Sequence, residues 1–313
     1  MKSDRLVFLG RRLFRAALAA GILVVGAGHA AEGAKQKTFA SPEDAARALV
    51  AAFRSDNARE MLQVLGPGSR EIIQSGDAVA DRASRERFLR AYEEANRLER
   101  SGEAKAALSV GRDAWPFPVP IVKGAGGWRF DSRQGREELL NRRIGRNELS
   151  TVQAILAYVD AQREYYLRNP QGDGLLHYAQ RFGSTPGKRD GLYFPTKAGE
   201  KPSPLGPLFT AAKAEGYAKS QGGAPAPYHG YRYRILRGQG PSAQGGAYDY
   251  VAQGRMIGGF AVVAWPASYG NSGVMTFLVN HEGVVYEKDL GPATASAAGK
   301  ITSFNPDQTW KRH

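Results

Sequence analysis

The sequence predicts an α+β fold, helical with a small inset hairpin or curved sheet in its first half and an antiparallel β-meander in its second. Three observations carry the prediction. Apolar residues recur at helical spacing between Pro42 and Leu167, they alternate at strand spacing after Tyr231, and a stretch crowded with Gly, Pro and polar residues from Asn169 to Pro227 separates the two patterns.

In chain order, Lys2, Arg5, Arg11, Arg12 and Arg15 precede an uncharged run of Ala, Leu and Val from Ala16 to Ala27, and Gly28-His29-Ala30 supplies the small residues that a signal peptidase reads. The uncharged run falls short of the ~20 apolar residues that span a bilayer, so a cleaved signal over 1–30 is expected rather than an anchor. Arg11-Arg12-Leu13-Phe14-Arg15 also has the paired arginines of a twin-arginine signal, although Gly10 stands where Ser or Thr is usual. Both the ordinary and the twin-arginine route lead out of the cytoplasm, to a periplasmic or secreted address. The chain has no cysteine, which removes lipid attachment, disulfides, thiolate zinc and a Cys nucleophile.

Ser41-Pro42-Glu43-Asp44 is a helix start: a capping hydroxyl, a proline at the first helical position and carboxylates at the positive end of the dipole. Ala45, Ala46, Leu49, Val50 and Phe53 then share one face. A second helix is expected from Arg59 to Leu65, closed by Gly66-Pro67-Gly68, and a third from Ala83 to Arg100. Ala106, Leu108 and Val110 alternate as in a strand, Pro118–Lys123 and Trp128–Asp131 flank four small residues as a hairpin, and the longest helix is expected from Arg146 to Leu167. In the second half Tyr231, Tyr233 and Ile235 alternate with Arg232 and Arg234, which reads as a strand with one wet face. Phe260–Trp265 is a continuous apolar strand, and Val274–Asn280 pairs with Val284–Asp289 through His281-Glu282-Gly283. The expected segments are thus a signal peptide (1–30), a helix-rich α+β domain (31–168), an ordered connector (169–227) and an antiparallel β domain with a C-terminal tail (228–313). The connector is expected to be ordered because it carries Leu175, Leu176, Tyr178, Phe182, Leu192, Tyr193, Phe194, Leu205, Leu208, Phe209 and Tyr217, an apolar load that a free linker lacks.

The net charge is +13, and removing residues 1–30, with five of the 43 Lys/Arg and one of the 30 Asp/Glu, leaves +9. That balance favours anionic envelope polymers or head groups. It does not argue for nucleic acid, because the basic residues are scattered without a run. Counted from Asn169, the segment to Gln180 has the Asp173, Gly174 and Leu176 of a calcium loop, but Asn169, Gln171 and Gln180 stand where several carboxylates are needed, so a helix-ending turn is expected. His177, His229, His281 and His313 show no metalloprotease spacing, and no Gly-x-Ser-x-Gly elbow occurs. The pairs Glu137/Glu138, Asp160/Glu164 and Asp173/Asp190 are open as acid/base carboxylates only if the fold brings them together across a cleft. No catalytic residue, metal ligand or cofactor is assigned.

The densest polar-aromatic constellation joins Arg142, Arg143 and Arg146 on the long helix, Lys188, Arg189 and Tyr193 in the connector, and Tyr231 and Tyr233 in the β half. Arg and Tyr together suit a sugar, an anionic polymer or a protein partner, but the first expectation is an internal network of ion pairs and capping bonds locking the halves together.

Several longer runs fall in one order along the chain: Trp115-Pro116-Phe117-Pro118, Gly127-Trp128-Arg129-Phe130-Asp131, Arg142-Arg143-Ile144-Gly145-Arg146-Asn147-Glu148-Leu149, Ser184-Thr185-Pro186-Gly187-Lys188-Arg189-Asp190-Gly191-Leu192-Tyr193 and Arg255-Met256-Ile257-Gly258-Gly259-Phe260. With them the chain resembles a bacterial exported family, the domain of unknown function 2950 family (DUF2950), over nearly its whole length after the signal. The resemblance implies an envelope address and no known activity. Separately, the first half is similar in appearance to the NTF2-like fold, and the region from Gly230 to Val285 to the sheet of pilin-like proteins. Three function classes follow: a non-catalytic envelope protein acting by binding or assembly with a protein partner, a binder of cell-wall glycan or another anionic polymer, and a hydrolase with an unrecognised carboxylate or His site.

Overall fold

The computed structural model describes residues 35–172, 174–217 and 226–313. The expected signal over 1–30, and Asp173 with its part in the calcium-loop and carboxylate-pair readings, lie outside the described residues.

Helix α1 (Pro42–Arg54) starts as its sequence dictates, with the Ser41 hydroxyl accepting from the Asp44 N–H at 3.0 Å. Helices α2 (Ala58–Leu65) and α4 (Ala78–Glu94) have Asn57 and Asp77 as caps, and the short α3 (Arg70–Ile73) lies between them. The chain then leaves the helical path at Ala95. Residues expected to prolong the third helix instead form β1 (Asn96–Ser101), paired antiparallel with β2 (Lys105–Val110) from Asn96↔Val110 to Ser101↔Lys105. Its sequence, Asn-Arg-Leu-Glu-Arg-Ser, has no clear alternation, so the partner strand rather than local propensity decides its conformation.

Strand β3 (Trp115–Pro116) pairs with β2, and β4 (Ile121–Gly124) and β5 (Gly127–Phe130) form the expected hairpin, completing the order β1-β2-β4-β5. Phe53, Phe88, Phe117 and Phe130 run through this first core with successive ring centroids 5.2, 5.2 and 6.3 Å apart.

Helix α5 (Ser132–Arg168) has 37 residues and reaches back to Ser132 rather than starting at Arg146. At 1.5 Å per residue it is ~55 Å long. Its early turns pack Leu139 on the first core, and Val152, Ile155, Tyr158, Val159 and Tyr165 belong to a second. Gly135 permits the near end of that arrangement: a Cβ there would sit 2.5 Å from the Pro118 carbonyl oxygen.

The second core lies under an antiparallel sheet. After the short α6 (Gly206–Ala214) come β6 (Tyr231–Leu236), β7 (Gly238–Gln239), β8 (Tyr248–Asp249), β9 (Val251–Ala252), β10 (Arg255–Met256), β11 (Ala261–Pro266), β12 (Met275–Asn280), β13 (Val285–Asp289), α7 (Thr294–Gly299) and β14 (Lys311–Arg312). The main sheet has the order β14-β13-β12-β11-β6, while β7 pairs with β8 and β9 with β10. The arginine face of β6 is not the wet face its alternation predicts. Arg234 donates to the Ala298 and Ile301 carbonyls at the end of α7 and stacks over Trp265 at 5.5 Å, so α7 covers that side and α5 the other. The fold is therefore mixed α and β, with helices N-terminal and an antiparallel sheet C-terminal. Ala179, Leu192 and Leu205 of the 169–227 segment are buried in the second core.

Candidate functional site

Two regions collect polar side chains: the junction between the cores, and a cleft along the edge of the second. At the junction, α5 presents Arg143, Asn147, Glu148 and Thr151 along one side. Arg143 donates to the carbonyls of Glu71 (2.6 Å) and Ile72 and to the Asn271 side-chain oxygen, and Asn271 in turn donates to the Gln74 carbonyl at 2.9 Å. Asn147 donates to the Ser272 carbonyl at 2.8 Å, while the Glu148 carboxylate accepts from the Val274 and Met275 N–H groups at 2.9 and 3.0 Å. Asp77 caps α4 with one oxygen and with the other accepts from the Tyr217 hydroxyl and the Gly230 N–H, both at 2.8 Å.

Burial lowers the pKa of Arg143 and raises that of Asp81 nearby. Tyr217 and Tyr231 are driven well above the ordinary phenol value, first by burial and then by Asp77 and Glu148. Every one of these groups is turned inward; those of α5 hold α3 and the loop around Ser268–Met275 to one helix, and Asp77 ties the start of α4 to Tyr217 and Gly230.

The cleft is different. It is an open cleft of about 400 Å³, a size within the ~300–1,000 Å³ typical of small-molecule sites. Helix α5 ends at Asn169, which takes the left-handed conformation (φ 42°) expected of a helix-closing residue, and Gln171 just beyond donates to the Tyr165 hydroxyl at 2.9 Å. Opposite, Ala179 is clamped by the buried Gln162, which donates to its carbonyl and accepts from its N–H, both at 2.8 Å. Tyr178 bridges to Met256 of β10, and Gln180 donates to the Gly254 carbonyl at 2.7 Å, so the β9–β10 hairpin is tied to the connector. The two residues of its turn, Gln253 and Gly254, both have positive φ (49° and 76°), the geometry of a type I′ turn.

Arg181, Arg237 and Arg255 line this cleft together with His177, and among the described residues one carboxylate, Asp190, lines it with them. Burial would raise the Asp190 carboxyl, but hydrogen bonds from the Thr185 hydroxyl and N–H, both 2.7 Å, and the Arg181 charge keep it below the ordinary carboxylate value. Arg181 donates to the Thr185 hydroxyl at 3.2 Å. Arg237 and the Gln253 amide have no internal hydrogen-bond or ion-pair partner among the described residues, and both are exposed.

The eight residues of the expected Arg/Tyr constellation are thus not one surface. Arg142 pairs with Glu138 and lies over the Trp115 ring at 5.5 Å, Arg143 belongs to the junction, and Arg146 is exposed near Arg87 and Arg142. Lys188 is exposed at the tip of the 184–193 loop, Arg189 pairs with Glu200, and Tyr193 stacks on Phe209 at 4.4 Å. Tyr231 is buried, donating to the Met275 carbonyl at 2.9 Å, and Tyr233 reaches Thr151 at 3.4 Å.

Of the other candidates, Asp160 pairs with Arg163, Glu164 with Arg168 and Lys201, His229 with Glu215 at 3.6 Å, and His313 with Glu287 at 2.8 Å. Glu137 and Glu138 lie exposed on α5. His281 sits in its expected turn beside Tyr250 and Phe260, where burial lowers its pKa. No cluster of three or more metal-ligating side chains occurs among the described residues, and no helix among them is long and apolar enough to cross a membrane.

The cleft residues missing from the sequence reading are Arg181, Arg237, Gln253 and Arg255. The signal for Gln253 and Arg255 is the two-residue Gln-Gly turn between Val251-Ala252 and Arg255-Met256, obscured because Gln is not among the usual residues of such turns; Arg181 and Arg237 carry no local signal. A family model described as "Protein of unknown function (DUF2950)" matches residues 36–313. No curated protein and no solved structure matches the chain.

Proposed function

We propose that this chain, which belongs to the family described as Protein of unknown function (DUF2950), is an exported protein of the cell envelope that acts by binding through its connector cleft rather than by chemistry. The observation that carries this reading is the convergence of three guanidinium groups on one open cleft of about 400 Å³ whose walls are hydrogen-bonded to the second core. Such a site presents fixed positive charge and neutral amides, which is the equipment for holding an anionic, hydroxyl-bearing ligand. Export is supported by the basic, apolar and small-residue order of residues 1–30.

Co-purification from envelope extract, washed at low and then at high salt, tests the binding role. An anionic glycan or a protein partner retained at low salt and released at high salt is expected, and a chain that recovers nothing from the envelope contradicts the reading. Intact mass tests export: the exported protein is expected to begin at or near Ala31, and a mass that retains residues 1–30 in a membrane fraction overturns that part.

A further inference from the structure

We infer that the connector cleft takes the acidic units of a glycan, sugars that carry a carboxylate beside several hydroxyls; this rests on the binding role proposed above and names its ligand. The acid end of the ligand is matched by Arg237. Its guanidinium stands exposed beyond the end of β6 with no internal hydrogen-bond or ion-pair partner among the described residues. A planar guanidinium fork pairs a carboxylate through two parallel hydrogen bonds. Arg181 and Arg255 line the same cleft and add to its positive field, Arg181 being held in place by the Thr185 hydroxyl.

The rest of the lining separates a sugar acid from a bare phosphate or sulfate chain without hydroxyls. Gln171 and Gln180 each use the amide nitrogen on a protein acceptor, Tyr165 and Gly254 respectively, which leaves their oxygens as acceptors. Gln253 brings a whole amide, donor and acceptor alike. A sugar hydroxyl both donates and accepts, so it satisfies either half of an amide. A phosphate offers acceptors alone and would face those amide oxygens and the Asp190 carboxylate with like polarity. The cleft thus combines the unpaired Arg237 guanidinium with acceptors that want a donor, and a polyhydroxylated acid supplies both.

Two features of the walls agree. Gln253 occupies a left-handed position (φ 49°) where Asn or Gly is easier to place. The longer Gln side chain gains reach into the cleft at that position, a local strain of the kind found at binding sites. Leu176, next in sequence to the lining residue His177, and Ile257, two residues beyond the lining residue Arg255, are 38 % and 41 % exposed, apolar side chains of the kind that meet the C–H face of a sugar ring.

The test is calorimetric titration of the purified protein with oligogalacturonate, with a neutral oligosaccharide of the same length, and with polyphosphate, repeated on Arg237→Gln and Gln253→Asn. The expected result is binding of oligogalacturonate in preference to both other probes, weakened about tenfold or more by Arg237→Gln at an unchanged melting temperature. Gln253→Asn is expected to weaken binding several-fold while melting at the same temperature or higher, because Asn suits the turn better. Equal affinity for the neutral oligosaccharide, equal or tighter binding of polyphosphate, or acid binding indifferent to Arg237→Gln each overturns the inference. Failure of all three probes also overturns it, and the broader binding role is then judged separately by what the envelope co-purification recovers.

Discussion

The junction and the cleft use the same side chains to opposite ends. Arg143 at the junction is surrounded by the carbonyls of Glu71 and Ile72 and the side chain of Asn271, and its charge is committed to holding two cores on one helix. Arg237 at the cleft is exposed and keeps its hydrogen-bonding capacity. The same holds for amides: Gln162 is fully buried and clamps both polar atoms of Ala179, whereas Gln253 is exposed at the tip of a hairpin. A charged or amide side chain becomes structural when the backbone supplies its partners, and is free to bind when the backbone stops short of it.

The largest effect that would break this contrast is expected at the junction. Arg143→Met should cost about 3 kcal/mol, because it strands the half-buried Glu71 and Ile72 carbonyls and the Asn271 amide oxygen together. Urea unfolding at constant slope measures it, and a cost under 1 kcal/mol would place Arg143 among the surface arginines. Next in size is Gly135→Ala, whose added Cβ meets the Pro118 carbonyl oxygen at 2.5 Å and should cost about 1–3 kcal/mol as overpacking of backbone on backbone; an ordinary exposed helical glycine would gain from the same change.

A smaller, pH-dependent effect probes the junction without mutation. Tyr217 and Tyr231, held protonated by burial and then by Asp77 and Glu148, have folded-state pKa values above those of the unfolded chain. The stability they contribute is fully present below pH ~10 and is lost as pH rises from there towards the folded values. Unfolding midpoints at pH 8, 10 and 11 should therefore fall in that order, and a flat profile would show these hydroxyls to be exposed. The smallest effect belongs to the cleft: Arg237→Met, the same substitution as at Arg143, should change stability by no more than about 0.5 kcal/mol.

What was legible in the sequence was local. Ser41-Pro42-Glu43-Asp44 announces α1 because all its capping groups lie within one turn, and the β4–β5 hairpin shows in the small residues between its strands. The start of α5 was hidden because Ser132–Gly145 is rich in charge, contains Gly135 and Gly145, and owes its helical state partly to packing against the first core and α3. The second face of β6 was hidden for the same reason, since Arg234 finds its acceptors 64 and 67 residues later in the chain. The Arg/Tyr constellation was visible as composition. Its division into a junction, a loop tip and buried tyrosines depends on partners remote in sequence, as does the cleft, which draws on the end of α5, the connector and the β9–β10 hairpin.

Hydrogen–deuterium exchange of the purified protein with and without oligogalacturonate tests the central claim most directly, because it reads both regions in one experiment. Slowed exchange confined to 171–181 and 250–258, with 143–151 and 268–275 unchanged, is the result the account predicts. Protection centred on the junction segments, or ligand binding that leaves the cleft segments untouched, would contradict it.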